Sequence, residues 1–309
     1  MADPAAPLAG LNGPTGTGGK ELRAPEAAPA PAGPVDRRFG YFITGVGEFS
    51  RVGDTVNARG YDLATGGFTL GVDYRLTPNV TVGLNTGYAR SGADLAGGGR
   101  LTVDGAKLGA YATYFDEGFY LDAAVQGGYN SYSTRRTALR GSATGSTSGG
   151  EVNALIATGF DFTSDALRIG PTASFQYTHI GLGSFQESGS LAPLSLPSQG
   201  GDSTRTAIGM KAAYEFRLAN GVVVRPEGRL AWQHEFGDIA YAIDARFANG
   251  GGGTFTVQGS EIGRDSALLG LGVAVLWSER TAAYLYYDGE LGRSNYTSNN
   301  VSGGVRMTF

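Results

Sequence analysis

Thr281-Ala282-Ala283-Tyr284-Leu285-Tyr286-Tyr287-Asp288-Gly289-Glu290-Leu291 decides the fold. Ala283, Leu285, Tyr287, Gly289 and Leu291 share one face of an extended chain, and Ala282, Tyr284, Tyr286, Asp288 and Glu290 share the other. The period is two, that of a strand, not 3.6. The final stretch repeats it: Val301, Gly303, Val305, Met307 and Phe309 alternate with Asn300, Ser302, Gly304, Arg306 and Thr308. Upstream, Val224, Leu230, Trp232 and Phe236 oppose Arg225, Glu227, Arg229, Gln233 and Glu235. A soluble antiparallel sheet also alternates, so the turns must settle the architecture.

Working back to Phe39, about twelve strands begin near 38, 61, 79, 101, 119, 150, 167, 203, 222, 264, 280 and 298. Tight connections are expected at Leu76–Asn79, Asp116–Gly118, Thr163–Ala166, Ala219–Gly221 and Ser278–Arg280. Longer ones are expected at about 52–60, 92–100, 139–149, 181–202 and 239–263, with only the last, near 294–297, short. Short turns alternating with longer loops on an even strand count are the pattern of an outer-membrane β-barrel. The expected fold class is therefore all-β, a closed antiparallel up-and-down transmembrane barrel of about 12 strands.

Face chemistry agrees. Leu70, Val72, Tyr74, Val82, Leu84, Val125, Ile156, Phe160, Ile169, Phe175, Ile208, Met210, Leu269, Leu271 and Val273 share a nearly charge-free face. The opposite parity carries Glu48, Asp73, Arg75, Lys107, Asp122, Lys211, Glu215, Arg225, Glu227, Arg229, Asp288, Glu290 and Arg306, with Glu151, Asp161 and Arg168. In a closed barrel the first set meets lipid and the second lines the lumen. Closure also satisfies every backbone N–H and C=O, as hydrocarbon requires. The lumen charges either pair across strands and hold the bore nearly shut, or stand solvated. Tyr74, Tyr114, Phe119, Phe162, Phe216 and Trp277 fall beside the tight turns, where an interfacial aromatic girdle belongs. Strand glycines such as Gly83, Gly127, Gly128 and Gly272 suit bends and small lumen positions.

Composition closes other doors. The chain has 309 residues, 24 basic and 28 acidic, a formal charge of −4, and no basic block to hold nucleic acid. It has no cysteine and two histidines, His179 and His234, which excludes thiolate chemistry and a His-rich metal site. Its longest apolar run, Ala267–Trp277, is shorter than the roughly 18–20 residues of a spanning helix. Residues 1–35, with seven prolines between Pro4 and Pro34, read as an extended or disordered linker before a barrel domain over 36–309. Met1–Gly10 lacks a basic start and apolar core. The sequence therefore reads as the tail of a longer precursor, or as a mis-started or recombinant piece.

Three motifs are set aside. Gly13–Lys20 imitates a phosphate loop, but Pro14 and Glu21 break the pattern. Gly201-Asp202-Ser203 is similar to a lipase nucleophile motif, but Thr204 replaces the usual Leu and no base partner follows. His234 has the lipid-facing parity near the rim. No catalytic residue, metal site or cofactor is expected.

The residues resemble a known family, the C-terminal translocator domains of classical autotransporters (type V secretion). The resemblance is densest over Leu230-Ala231-Trp232-Gln233-His234-Glu235-Phe236-Gly237, Gly270-Leu271-Gly272, Ala283–Gly292 and Asn300–Phe309. It implies a 12-stranded barrel in the bacterial outer membrane, both ends periplasmic, that helps an N-terminal passenger reach the cell surface. It also implies that Phe309, with Met307, Val305 and Val301, is a sorting signal read by the barrel-assembly machinery, and that the barrel works as a monomer in outer-membrane lipid. Two departures stand out. The prolines of 1–34 oppose the long helix that relatives thread through the pore. Asn12 is the single asparagine before residue 39, so self-cleavage between paired asparagines is not expected. The alternative is a passive porin or surface-structural barrel. A passenger would continue the reading frame before Met1, whereas a porin would carry only a signal peptide there.

Overall fold

In a computed structural model, residues 38–309 are described apart from 57, 96, 97, 241 and 279. The linker expected over 1–35, with Asn12 and the phosphate-loop imitation, lies outside the described residues. Twelve long antiparallel strands build one sheet: β1 Phe39–Val52, β2 Tyr61–Arg75, β3 Val80–Leu95, β4 Gly99–Asp116, β5 Phe119–Ala138, β6 Gly141–Phe160, β7 Leu167–Leu182, β8 Gln199–Tyr214, β9 Val223–Glu235, β10 Asp265–Leu276, β11 Thr281–Leu291 and β12 Tyr296–Thr308. Each pairs with its sequence neighbours, and β12 returns to β1 from Gly40↔Thr308 to Val52↔Tyr296. The sheet is a closed 12-strand barrel.

Two strands are briefly interrupted without losing register. β6 continues as Phe162–Ser164 and β8 as Phe216–Arg217. On both sides of each gap the ladder keeps its alignment, Gly159↔Thr172 resuming at Phe162↔Ile169 and Ala213↔Glu227 at Phe216↔Val224. That alignment puts Pro171 opposite Phe160 and Pro226 opposite Tyr214. A proline has no N–H to donate, so the ladder skips where each one sits.

The tight turns join β2–β3, β4–β5, β6–β7, β8–β9 and β10–β11, all at the end where Phe39 and Phe309 exchange backbone hydrogen bonds. The turn between β4 and β5 has Glu117 and Gly118 at φ 44° and 96°. Two central residues of positive φ match the twist of a two-residue hairpin.

The opposite end departs from the sequence expectation. β6 begins at Gly141, not near 150, and β8 at Gln199, not near 203. The long connection expected over 139–149 is mostly strand, with Ala138 paired to Gly141, and β3 and β4 likewise extend into 92–100. Beyond the lipid band both faces of a strand meet water, so alternation fades in Gly141–Gly150 although the ladder continues. The connections 183–198 and 236–264 contribute short strands, Phe185–Gln186, Leu194–Leu196, Ala242–Phe247 and Phe255–Gln258, which form a separate small sheet. Arg136 holds the first of these connections by two hydrogen bonds to Glu187, 2.9 and 2.6 Å.

Inside and outside separate most cleanly along β1. In β1, Gly40, Phe42, Thr44, Val46, Glu48, Ser50 and Val52 are buried and inward, and of the residues alternating with them all but Gly47 are exposed. Inward rings lie flat on glycines of the next strand, Tyr111 on Gly83 and Tyr286 on Gly272, where any Cβ would collide. Gly127, expected at a bend or lumen position, instead faces outward with open space above it.

Candidate functional site

The inward charges are paired. Toward the turn end, Arg306 donates to both Asp73 oxygens at 2.8 and 2.7 Å, and the Tyr111 hydroxyl adds a third bond at 2.9 Å. Lys211 lies 2.8 Å from Asp161 and 3.9 Å above the centre of the Tyr120 ring. Glu215 accepts from Arg225 at 2.6 Å and Arg168 at 3.0 Å. Asp122 accepts from Thr113 at 2.8 Å. Farther along the bore, Lys107 meets Glu151 at 2.5 Å and Arg229 meets Asp288 at 3.0 Å. Arg75 and Glu227 stand half-buried near the turn end.

A second network lies nearer the far mouth. Arg205 donates to Glu235 at 2.7 Å, Arg293 to Glu290 at 3.1 Å, and Gln233 to Glu290 at 3.2 Å. Ser298 donates to Glu48 at 2.8 Å. Alternation already sets Glu235 with Arg225 and Arg229 on the charged face, whereas Arg205 and Arg293 are absent from the lumen set read from sequence. Arg205 has the parity of Lys211, so parity extended to the strand end finds it. Arg293 lies in the β11–β12 connection, where parity gives no signal.

The far mouth itself is apolar on its inner side. Val52, Tyr61, Leu63, Ala93, Leu101, Val103, Tyr132, Ile180 and Tyr296 form a buried cluster, and Ile262 from the long β9–β10 connection packs against it. The inner wall is therefore not charged throughout: an apolar cluster of side chains lines the end away from the tight turns.

The outward surface is layered. Ile43, Val72, Leu84, Val125, Ile156, Ile208, Leu271 and Leu285 are each 51–61% exposed around the girth. Removing such a side chain from water is worth about 1.5–3 kcal/mol, so this band needs lipid. At the turn end, Tyr74, Tyr114, Phe119, Phe162, Phe216 and Trp277 form an outward ring with Phe39 and Phe309, several in ring contact, as Phe39 with Tyr74 at 4.8 Å.

A second aromatic ring, missed in the sequence reading, lies farther up: Phe49, Tyr88, Tyr129, Tyr177, Trp232 and Tyr287. On β5, Phe119 and Tyr129 are ten residues apart. A tilted strand gains about 2.5 Å of height per residue, which spans the roughly 25 Å apolar band. Four of these aromatics donate to a polar group beyond the band: Tyr88 to Asp104 (2.5 Å), Tyr177 to Asp202 (2.6 Å), Trp232 to Asp265 (3.0 Å) and Tyr287 to Asn299 (2.7 Å). Basic side chains face the same carboxylates: His179 beside Asp202 at 2.9 Å, His234 beside Asp265 at 2.8 Å, and Arg90 beside Asp104 at 3.8 Å. Both histidines thus belong to an outward belt. Among the described residues no group of His, Asp and Glu is placed to share a metal ion.

A family model described as the autotransporter β-domain matches residues 41–288. The chain belongs to the autotransporter β-domain family. An extracellular serine protease of Serratia marcescens is 29% identical over 278 residues, covering 85% of this chain and 25% of that protein. The chain spans about a quarter of the length of the curated relatives it matches first. Among solved structures, the translocator domain of the autotransporter NalP from Neisseria meningitidis superposes with a TM-score of 0.69 at 16% identity, over 87% of this chain and 88% of that one. The β domain of the Bordetella autotransporter BrkA gives 0.69 at 19%, over 88% and 100%. These two likenesses carry the fold. The autotransporter β-domain is an outer-membrane barrel that exports a passenger.

Proposed function

We propose that this autotransporter β-domain anchors in the outer membrane as a monomer and conducts the chain preceding Phe39 through its own lumen to the cell surface. The observation that carries the reading is the two-part bore. β1 begins at the turn end, so a preceding segment meets the paired, water-compatible part of the lumen first. The apolar cluster with Ile262 packed on it lines the far mouth. In this reading that cluster is the gate of a conduit, which a passive porin with a standing-open bore would not need. Internal pairing of the lumen charges leaves a weakly selective wall, suited to a passing chain of varied sequence. Barrel assembly, in this reading, depends on machinery that recognises the outward stripe of Val301, Val305, Met307 and Phe309. The barrel itself has no catalytic role.

The test fuses a signal peptide and a small reporter ahead of Met1 and adds protease to intact cells. Shaving of the reporter, with a heat-shifted band confirming a folded barrel, is expected. A folded barrel whose reporter stays protected would overturn the proposal and favour the porin.

A further inference from the structure

β4, β5 and β6 are 18, 20 and 20 residues long, and their outer ends rise well above the second aromatic ring. On the outward face there, β5 presents Ser131, Ser133 and Arg135, β4 presents Thr102 and Arg100, and β6 presents Thr144. The ladder sets Arg100 directly opposite Arg135. Like charges directly opposed on one face destabilise a sheet, and the surrounding groups relieve only half of this pair. Asp94 lies across β3–β4 at 3.8 Å from Arg100, and Asp104 is engaged with Arg90 and Tyr88. Across β5–β6, Arg135 faces Thr144, which has no charge. Across β1 and β2, by contrast, Arg51 and Asp62 pair at 2.6 Å.

We propose that Arg100 and Arg135 form a fork for a phosphate group on the headgroup sugars of an outer-leaflet glycolipid. Two guanidinium groups carried at directly opposed positions of one face can close on a phosphate and match its geometry and charge once the Arg100 side chain swings from Asp94 toward β5, and an anion between them removes their repulsion. Height selects the source. Arg135 lies six residues beyond Tyr129, about 15 Å at roughly 2.5 Å per residue. The headgroup layer of an ordinary phospholipid leaflet adds only about 5–8 Å beyond the hydrocarbon. A phosphate carried on an extended sugar chain reaches the fork, and a phospholipid phosphate does not. The neighbouring hydroxyls of Thr102, Ser133 and Thr144 suit sugar contacts.

The test folds the full chain into nanodiscs and counts retained lipid by native mass spectrometry. Three glycolipid preparations are compared: one with its phosphorylated core sugars, one truncated to the acylated disaccharide, and the full form treated with phosphatase. Retention of the first at least tenfold above the other two is expected. Arg100→Gln with Arg135→Gln should abolish the difference, and so should Thr144→Glu, which places a carboxylate opposite Arg135 while keeping both arginines. Unchanged heat-shift of each variant in zwitterionic lipid confirms folding. Equal retention of truncated and full glycolipid, undiminished retention by the double variant, or displacement by millimolar inorganic phosphate as effective as by glycolipid would overturn the proposal.

Discussion

Arg306 on β12 grips Asp73 on β2 across the whole width of β1, with two hydrogen bonds of 2.8 and 2.7 Å passing over Gly40. A Cβ at residue 40 would stand 2.5 Å from the Asp73 carboxylate and 2.7 Å from the guanidinium. The pair therefore bridges the seam where the first and last strands close the barrel, and glycine is what admits it.

Removing one partner leaves a buried charge facing an empty place, a loss of about 3–5 kcal/mol when a buried pair is broken. Asp73→Asn or Arg306→Gln should lower the midpoint of urea unfolding in liposomes. The exchange Asp73→Arg with Arg306→Asp should recover more than half of that loss, because the seam geometry is kept. Equal damage from the exchange would show that the pair is not what holds the seam.

The outward band gives a prediction that separates it from the exposed face of a soluble sheet. Ile208 is 61% exposed at mid-height on β8. Ile208→Arg should cost about 2–4 kcal/mol in a bilayer, the cost of a cation at the midplane of a barrel's lipid face. The same substitution on a water-exposed face would be nearly neutral. Equilibrium unfolding in vesicles distinguishes the two.

Much of this was legible in the residues. Alternation in Thr281–Leu291 and Asn300–Phe309 gave the inside and outside of strands that cross lipid, because lipid and lumen enforce opposite chemistry on alternate positions. It failed where that contrast ends. Gly141–Gly150 is polar on both faces, so its strand was invisible although β5 pairs with it throughout. The second aromatic ring escaped because Tyr88, Tyr129 and Tyr177 lie in mid-strand, far from any turn, and only the strand's height in the barrel gives them meaning. The apolar cluster escaped for another reason: Val52, Leu101 and Tyr132 are inward, where charge was expected, and Ile262, packed on the same cluster, comes from a connection without periodicity.

In the proposed export route the apolar cluster at the far mouth is the constriction of the bore. Tyr132→Ala with Ile262→Ala removes side chains packed on that cluster and should raise single-channel conductance in planar bilayers several-fold. The paired charges below remain in place, so ion selectivity should change little. An unchanged conductance would locate the constriction elsewhere.

Phe309 packs at the barrel seam, and the proposed function gives it a second, separable role in assembly. It exchanges backbone hydrogen bonds with Phe39 at 2.8 and 3.3 Å and stacks on Tyr41 at 4.8 Å. Phe309→Ala keeps the backbone bonds, so spontaneous folding into short-chain vesicles should proceed with a modest loss of about 0.5–1.5 kcal/mol for the ring pair. Assembly in cells should fall much further, by tenfold or more in heat-shifted outer-membrane barrel. Equal, small losses in both settings would confine Phe309 to packing.

The central claim is that the exported chain passes through this lumen. Because the sequence contains no cysteine, single cysteines report position without background. Gln126 is inward in mid-bore and Leu84 outward at mid-height. A reporter stalled during export, with one cysteine in its trailing segment, should form a disulfide with Gln126→Cys and none with Leu84→Cys. Cross-linking at Leu84→Cys but not at Gln126→Cys would place the route outside the barrel and contradict the account.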